Sequence, residues 1–519
     1  MSVSLSLQEL KKIKDVANLI TGGSATENSG IALSGNIGGN AATASAAEPG
    51  STLYTNIEDN EVNVVYSGPH MIGEIISGDA EDRCGTSVSM NEDGTIIAIG
   101  KPNRGEHSTT YASGHVSVYK FISGEWTPLG ENIYGEGSSD ESGLSVSLSA
   151  DGYTVAFGAP NNDGDNGTQS GHVRVYQYDE HSAADSNQTL SNGNANPNFG
   201  PLGWKRLGGD IDGEAPDDLT GDNPGTVSLS ADGITIAIAS IENDGNPTSG
   251  HVRVYRYDEN SAADSNQTLS NGSANPNFGP LGWKRLGLDI DGDAGNKIGS
   301  SVSLSKYGNV VAIGSTYSNH VQVYVFSNSV WNPRGSLIQG TQYMGGVGQS
   351  VSLSEDGNRV AISAKGGFEP FDQTTEGQVR VYEYYSSNAT WNPVGGTLYV
   401  GLAGGCDTVS LSAYGNIVAV GADSSYNIHS GGSGEVRIYQ LSDSNNLWEP
   451  LGPAIHADAH NEKHGDSISL SADGSTVAVG TITKGQVRIY SLSTPMRAQT
   501  AIEVLMARVT ALEAKLVKR

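Results

Sequence analysis

The sequence predicts an all-β chain folded as a seven-bladed β-propeller, and three observations carry that expectation. A Val-Ser-Leu-Ser phrase recurs seven times, starting at Val88 (with Met90 in place of Leu), Val146, Val227, Val302, Val351, Val409 and Ile468. Three further short segments follow each of the first six copies and two follow the seventh, and none of the four has helical periodicity. Incomplete units at the two ends of the array add up to one whole unit. Four-stranded units repeating at roughly 40–60 residues are propeller blades, and closing them into a ring removes the sheet edges an open array would expose.

The second copy shows the elements in order. Ser145–Ser149 alternates apolar and polar residues, the pattern of a half-buried strand. Asp151-Gly152 is hairpin-turn chemistry, because Gly accepts positive φ. Tyr153–Gly158 is more continuously apolar, as suits a strand covered on both faces. Gly171–Tyr176 alternates again, and Trp204–Gly208 with Ile211 makes the fourth segment. A tyrosine closes every third segment: Tyr119, Tyr176, Tyr255, Tyr324, Tyr382, Tyr439 and Tyr490. All six tryptophans open fourth segments: Trp126, Trp204, Trp283, Trp331, Trp391 and Trp448. The seventh unit has no fourth segment, and Ile72-Gly73 with Ile76 and Gly78 supplies one near the other end of the chain. The propeller is therefore expected to close with that N-terminal strand in blade 7.

Spacing between copies is 58, 81, 75, 49, 58 and 59 residues. The two long intervals come from nearly identical inserts between the third and fourth segments, Asp179–Gly203 and Asp258–Gly282. Their repetition reads as duplication of a whole blade, and their Asn, Ser, Gly and Pro content as exposed loops or small hairpins.

Composition narrows the function. The 519 residues carry 57 acids against 29 Lys+Arg, a net charge of −28, which disfavours nucleic acid and anionic membranes as partners. No apolar run reaches the roughly 20 residues of a membrane span. Cys84 and Cys406 are too few for a disulfide framework or a Cys-rich zinc site. Three regions are expected. Residues 1–50 hold a short amphipathic helix within Leu5–Ile20 and a flexible Gly/Ala/Ser-rich segment, without the apolar core of a signal peptide. Residues 51–492 are the propeller. Residues 493–519 are a C-terminal helix with an a/d seam of Ile502, Leu505, Val509, Leu512 and Leu516. Arg508 and Glu513 flank that seam in the Arg-h-x-x-h-Glu pattern of short trimeric coiled coils (h apolar), so a trimer is favoured over a dimer; a lone helix packed on the propeller is the alternative.

The repeats resemble FG-GAP-type units, those of integrin α-chain heads and other adhesion proteins. The motifs are Gly143-x-Ser145-Val146, Phe157-Gly158-Ala159-Pro160 and Gly171–Tyr176, and the likeness spans about residues 70–492. The Ser-Ala-Asp-Gly turn variant is similar to repeat proteins of large algal viruses and marine protists. This resemblance implies adhesion or host attachment, a virion-surface or extracellular location, and a partner surface on the rim carrying the two–three and four–one connections. It does not carry the calcium loops of integrin blades, because Ser149-Ala150-Asp151-Gly152 offers one carboxylate where calcium takes six to eight oxygens.

That rim collects Asp163, Asp165, Asp212, Glu214, Asp217, Asp218, Asp222, Asp291 and Asp293, the candidate surface for a protein or glycan partner. Asn161-x-Asp163-x-Asp165 has alternate-residue ligand spacing, which raises calcium as the only candidate cofactor. It lacks the EF-hand Gly and closing Glu, and a solvated acidic face is the plainer reading. His115, His172 and His251 share one repeat position and read as structural. Lys205-Arg206 and Lys284-Arg285 read as isolated basic pairs. No nucleophile elbow, P-loop, His-Glu-x-x-His or dinucleotide fingerprint occurs. The leading expectation is a non-enzymatic attachment protein with a multimerised head. An internal scaffold using the propeller for docking is the second. A glycan hydrolase or lyase is the third, and an acidic cluster with raised pKa values at the ring's central opening would favour it.

Overall fold

The computed structural model describes backbone strands within 42–67 and residues 69–492, excepting 79–81, 103–112, 165, 186–199, 243–248, 265, 267–274, 276–277, 341–345, 366–376, 401–405, 423–433 and 460–461. The expected N-terminal helix, the heptad seam from Ile502 to Leu516 and Asp165 lie outside the described residues.

Seven antiparallel sheets form the blades. Blade 2 is typical, with Val146–Leu148, Thr154–Ala159, His172–Tyr178 and Trp204–Arg206 hydrogen-bonded in sequence order. Its fourth strand is broken. Arg206 pairs with Tyr176, the chain bends at Gly208, and Ile211–Asp212 then pairs with the start of the third strand. Every second strand is buried almost end to end, as its continuous apolar run requires. The core is a set of apolar layers between neighbouring sheets. Between blades 1 and 2 it contains Ile96, Val116, Leu148, Phe157, Tyr176 and Trp204. Another layer joins Val487 and Ile489 of blade 7 to Ile97 and Ile99 of blade 1.

The polar half of the Val-Ser-Leu-Ser phrase closes the circle. The first serine inside each phrase accepts a hydrogen bond from a backbone N–H of the next blade. The donors run Leu148 to Ser89, Leu229 to Ser147, Leu304 to Ser228, Leu353 to Ser303, Leu411 to Ser352, Leu470 to Ser410, and finally Met90 to Ser469, all at 2.9–3.0 Å. A second ring of backbone bonds runs from Glu92 through Ala150, Ala231, Lys306, Glu355, Ala413 and Ala472 back to Glu92. Serine is suited to this role, since a hydroxyl can accept from one blade without leaving a charge buried.

Tryptophan performs the matching role at the periphery. Each indole Nε1 donates to the carbonyl just before the bend of the preceding blade's outer strand. Trp126 bonds Ile72, Trp204 Leu129, Trp283 Leu207, Trp331 Leu286, Trp391 Arg334 and Trp448 Val394, at 2.6–3.1 Å. The bend residue must be glycine because the indole lies on it. A Cβ at Gly130 would sit 2.4 Å from Nε1 of Trp204, and its φ of +73° is itself the left-handed conformation. All six tryptophans serve these six junctions, so the seventh, between blades 6 and 7, has none.

In blade 7, Gln486–Val487 pairs with Ile76–Ser77, and Ile72 N–H donates to the Ile489 carbonyl. Removing the chain through Ser77 is expected to lower the melting temperature and to promote self-association through the freed edge of Gln486–Ser491. Thermal scans and sedimentation velocity check this; an unchanged melting temperature and sedimentation profile would refute it.

Residues 42–67 differ from the sequence expectation. Ala42–Ser45, Thr52–Glu58 and Glu61–Ser67 make a three-stranded antiparallel sheet of their own, in a second compact unit. The predicted linker thus contains a strand, and 52–67 belongs to no blade. The signal is local: two alternating runs flank Asp59-Asn60, which is hairpin chemistry.

Candidate functional site

A cleft of about 570 Å³ opens between blades 2 and 3. Asp163, Asp212 and Glu214 of the predicted acidic rim line it, with Glu136, Asp210, Asp264 and Phe278. Blade 3's insert supplies one wall. Although it leaves the opposite rim, the insert folds back along the blade edge, with Arg285 N–H donating to the Phe278 carbonyl and an Asp264–Gly279 bridge. The Phe278 ring covers the guanidiniums of Arg285 and Arg253 at 4.9 and 5.6 Å. The antiparallel Asp264–Gly279 bridge agrees with the small-hairpin expectation, and the described end of the insert at Phe278 lies along the blade's edge strand.

Below the cleft lies an ion-pair network that repeats between blades. Arg174 grips Asp210 through Nε and Nη2 at 3.0 and 2.8 Å, Arg206 reaches the same carboxylate at 3.0 Å, and Glu136 of blade 1 pairs with Arg174. One blade on, Arg253, Arg285, Asp289 and Glu214 repeat the arrangement. Arg488 pairs with Asp458 at the corresponding place between blades 7 and 6. Burial opposes the charge of Asp210, yet the two arginines hold its carboxyl at about 2. His172 is sealed beneath; burial first, and then the Arg174 charge, push its imidazole down to about 3.

Two sequence expectations are corrected here. Lys205-Arg206 and Lys284-Arg285 are not isolated: Lys205 pairs with Asp179, Lys284 with Asp258 at 2.6 Å, and the arginines with Asp210 and Asp289. Nor is the acidic rim a uniform contact surface. Asp218 is buried, and its Oδ2 accepts the Glu214 and Ala215 N–H groups, fixing the loop before blade 3. Asp140 does the same before blade 2. Glu214 is committed to Arg253. Asp163, Asp217, Asp291 and Asp293 are exposed, and Asp212 and Asp222 half-buried. Of these, Asp163 and Asp212 share the cleft. Asp210 and Asp289 were missed, though Arg206 and Arg285 precede them by four residues in both copies.

Glu136, His172 and Asp210 bring potential metal-ligand atoms within 4.8 Å of one another. The donors do not fit a cation, because the Arg174 guanidinium already bridges both carboxylates. Asp163, at the centre of the calcium spacing, accepts the Gln169 N–H at 3.0 Å. The one–two turn acids are likewise engaged: Asp151 accepts from the Ser149 hydroxyl at 2.6 Å and the Tyr153 N–H at 2.9 Å. His172 and His251 are buried, and His320 occupies the same repeat position.

At the central opening a cavity of about 170 Å³ is lined by Met90 and the six phrase leucines. Glu92 and Glu355 flank Lys306 there at 3.9 and 3.0 Å. The Glu355 hydrogen bond raises the lysine pKa. The lysine between the two glutamates compensates their charge.

Fold and site together define a seven-bladed β-propeller with an acidic inter-blade cleft. No family model matches the chain, and no curated protein matches its sequence. Solved structures similar to it include the β-propeller domain of Cps50 (Swd1) from Myceliophteria thermophila, at 12% identity, covering 82% of this chain and 100% of that one, TM-score 0.47. A putative 6-phosphogluconolactonase from Bacteroides uniformis follows at 11% identity, 79% and 93% coverage, TM-score 0.45. The C-terminal WD40 domain of Sif2 has 12% identity, 82% and 97% coverage, TM-score 0.44. The likeness concerns the fold alone. Among the described residues, no helix is long and apolar enough to cross a membrane.

Proposed function

We propose that the chain is a non-enzymatic attachment or adhesion protein whose propeller head binds a protein partner presenting basic side chains. The observation carrying this reading is the cleft between blades 2 and 3, which gathers Asp163 and Asp212 beside the hydrophobic face of Phe278. Acid-lined concave surfaces raise the local concentration of cationic partners and speed their association. His172, at about 3, is a weak base at neutral pH. The FG-GAP-type resemblance, and with it a virion-surface or extracellular setting, agrees with an adhesive role. The heptad seam of Ile502–Leu516, with Arg508 and Glu513, supports a trimeric stalk, which would raise avidity without new contacts.

The test uses the full chain on immobilised cationic protein and on a glycan array, across ionic strengths. Retention on the protein surface is expected to fall with salt. Asp163→Asn with Asp212→Asn is expected to weaken it roughly tenfold, at unchanged melting temperature. Salt-independent binding, or binding indifferent to the double substitution, would refute the assignment. Retention by glycans alone would move the partner to that class.

A further inference from the structure

The one–two turn carries aspartate in five blades, at Asp93, Asp151, Asp232, Asp356 and Asp473, but tyrosine in blades 4 and 6, Tyr307 and Tyr414. These two rings are 71% and 82% exposed. Neither turn needs them. Asn309 and Asn416 accept the hydroxyls of Ser305 and Ser412 at 3.1 Å, replacing the missing aspartate. An aromatic face so open contributes nothing to the core, and in blade 6 it borders a second cleft.

That cleft, about 370 Å³, lies on the rim opposite the acidic one and is lined by Tyr414, Arg334, Asp356, Asn358, Arg359 and Glu383 among others. Its polar groups are planar and fixed. Asp356 accepts from the Ser354 hydroxyl at 2.6 Å and the Asn358 N–H at 2.9 Å, and Asn358 Nδ2 donates to its other oxygen at 2.7 Å. Arg334 donates to Asn358 Oδ1 at 2.5 Å and lies 4.6 Å over the Tyr384 ring. Arg359 donates to the Gly415 carbonyl at 3.1 Å and pairs with Glu383 at 3.3 Å.

We infer that this cleft is a saccharide-binding subsite that takes a neutral pyranose. The sugar's C–H face would stack on Tyr414. Its vicinal hydroxyls would bridge adjacent planar acceptors and donors, Asp356 with Asn358 and Glu383 with Arg359. Two carboxylates and two guanidiniums balance in charge, which favours a neutral sugar over an anionic one. Preorganised polar groups around one apolar platform are what a small polar ligand needs to recover its lost hydration. The subsite is independent of the acidic cleft.

The experiment displays neutral hexose- and N-acetylhexosamine-terminated oligosaccharides beside sialylated ones to the full chain, then titrates the best neutral ligand by saturation-transfer NMR. Binding of neutral glycans is expected. Tyr414→Ala should weaken it roughly tenfold. Tyr307→Ala, at the same turn position in a blade without this cleft, should leave it unchanged, with both variants melting like the parent. Absence of neutral-glycan binding, preference for sialylated glycans, or equal loss in Tyr307→Ala would overturn the inference.

Discussion

Replacing Trp204 with alanine is expected to cost about 3–5 kcal/mol, the range for removing a large buried aromatic. In a chain of this length that corresponds to a melting temperature lower by roughly 3–5 °C. Trp204 is fully buried, meets Tyr178 edge-on at 5.4 Å, and donates to the Leu129 carbonyl across the blade 1–2 boundary. Its loss leaves a cavity and an orphaned carbonyl together. Gly130→Ala should also destabilise the fold, because the new methyl meets the indole and φ is positive. The two losses should not add. Once the indole is gone the methyl has space, so the double variant should be more stable than the sum by about 1 kcal/mol or more. Denaturant titrations of the four proteins decide this, and strict additivity would mean that the indole does not dictate the glycine.

Acid should unfold the protein earlier than its carboxylates alone would dictate. His172 and His464 are both held at about 3 by burial, with Arg174 and Arg488 adding repulsion. In the unfolded chain each takes a proton near 6.5, whereas the folded imidazole refuses it until about 3. Between those values the unfolded state binds more protons. Stability is therefore fully present above about 6.5 and falls as pH drops, by about 1.4 kcal/mol per pH unit for each histidine. Asp210, held at about 2, adds its loss only below the ordinary carboxylate range near 3.8. His172→Asn should reduce the slope between pH 6 and 4 by about 1.4 kcal/mol per pH unit, leaving the share of His464 and of His251, which burial also depresses. A slope unchanged by that substitution would show that His172 is not the group responsible.

The blade count was legible because each structural device uses one residue type at one repeat position. The serines of Val-Ser-Leu-Ser, the tryptophans and the bend glycines recur because each contacts its counterpart one blade away, at Ser89 and Leu148 or at Gly130 and Trp204. The acidic cleft was only half legible. Chain position placed Asp163, Asp212, Glu214 and Asp218 on one rim, but it carried no information about charge partners. Glu214 belongs to Arg253 because blade 3 follows blade 2 around the ring, and Asp218 is withdrawn from the surface to bind two backbone N–H groups. The insert was the least legible element. Its composition marked it as surface, yet only folding brings Phe278 onto Arg285 and Arg253.

The chain is a seven-fold repeat, and its sequence by itself determined the all-β class, the number of blades and the residues at which they join. Those properties depend on local periodicity and on contacts between identical positions, which a repeat displays in one dimension. Tertiary structure alone decided which charges neutralise one another, where the inserts lie, and that Tyr414 stands beside a cleft. Electrostatic pairing and cavity shape depend on distances between different positions in different blades, and those distances exist only once the ring is closed.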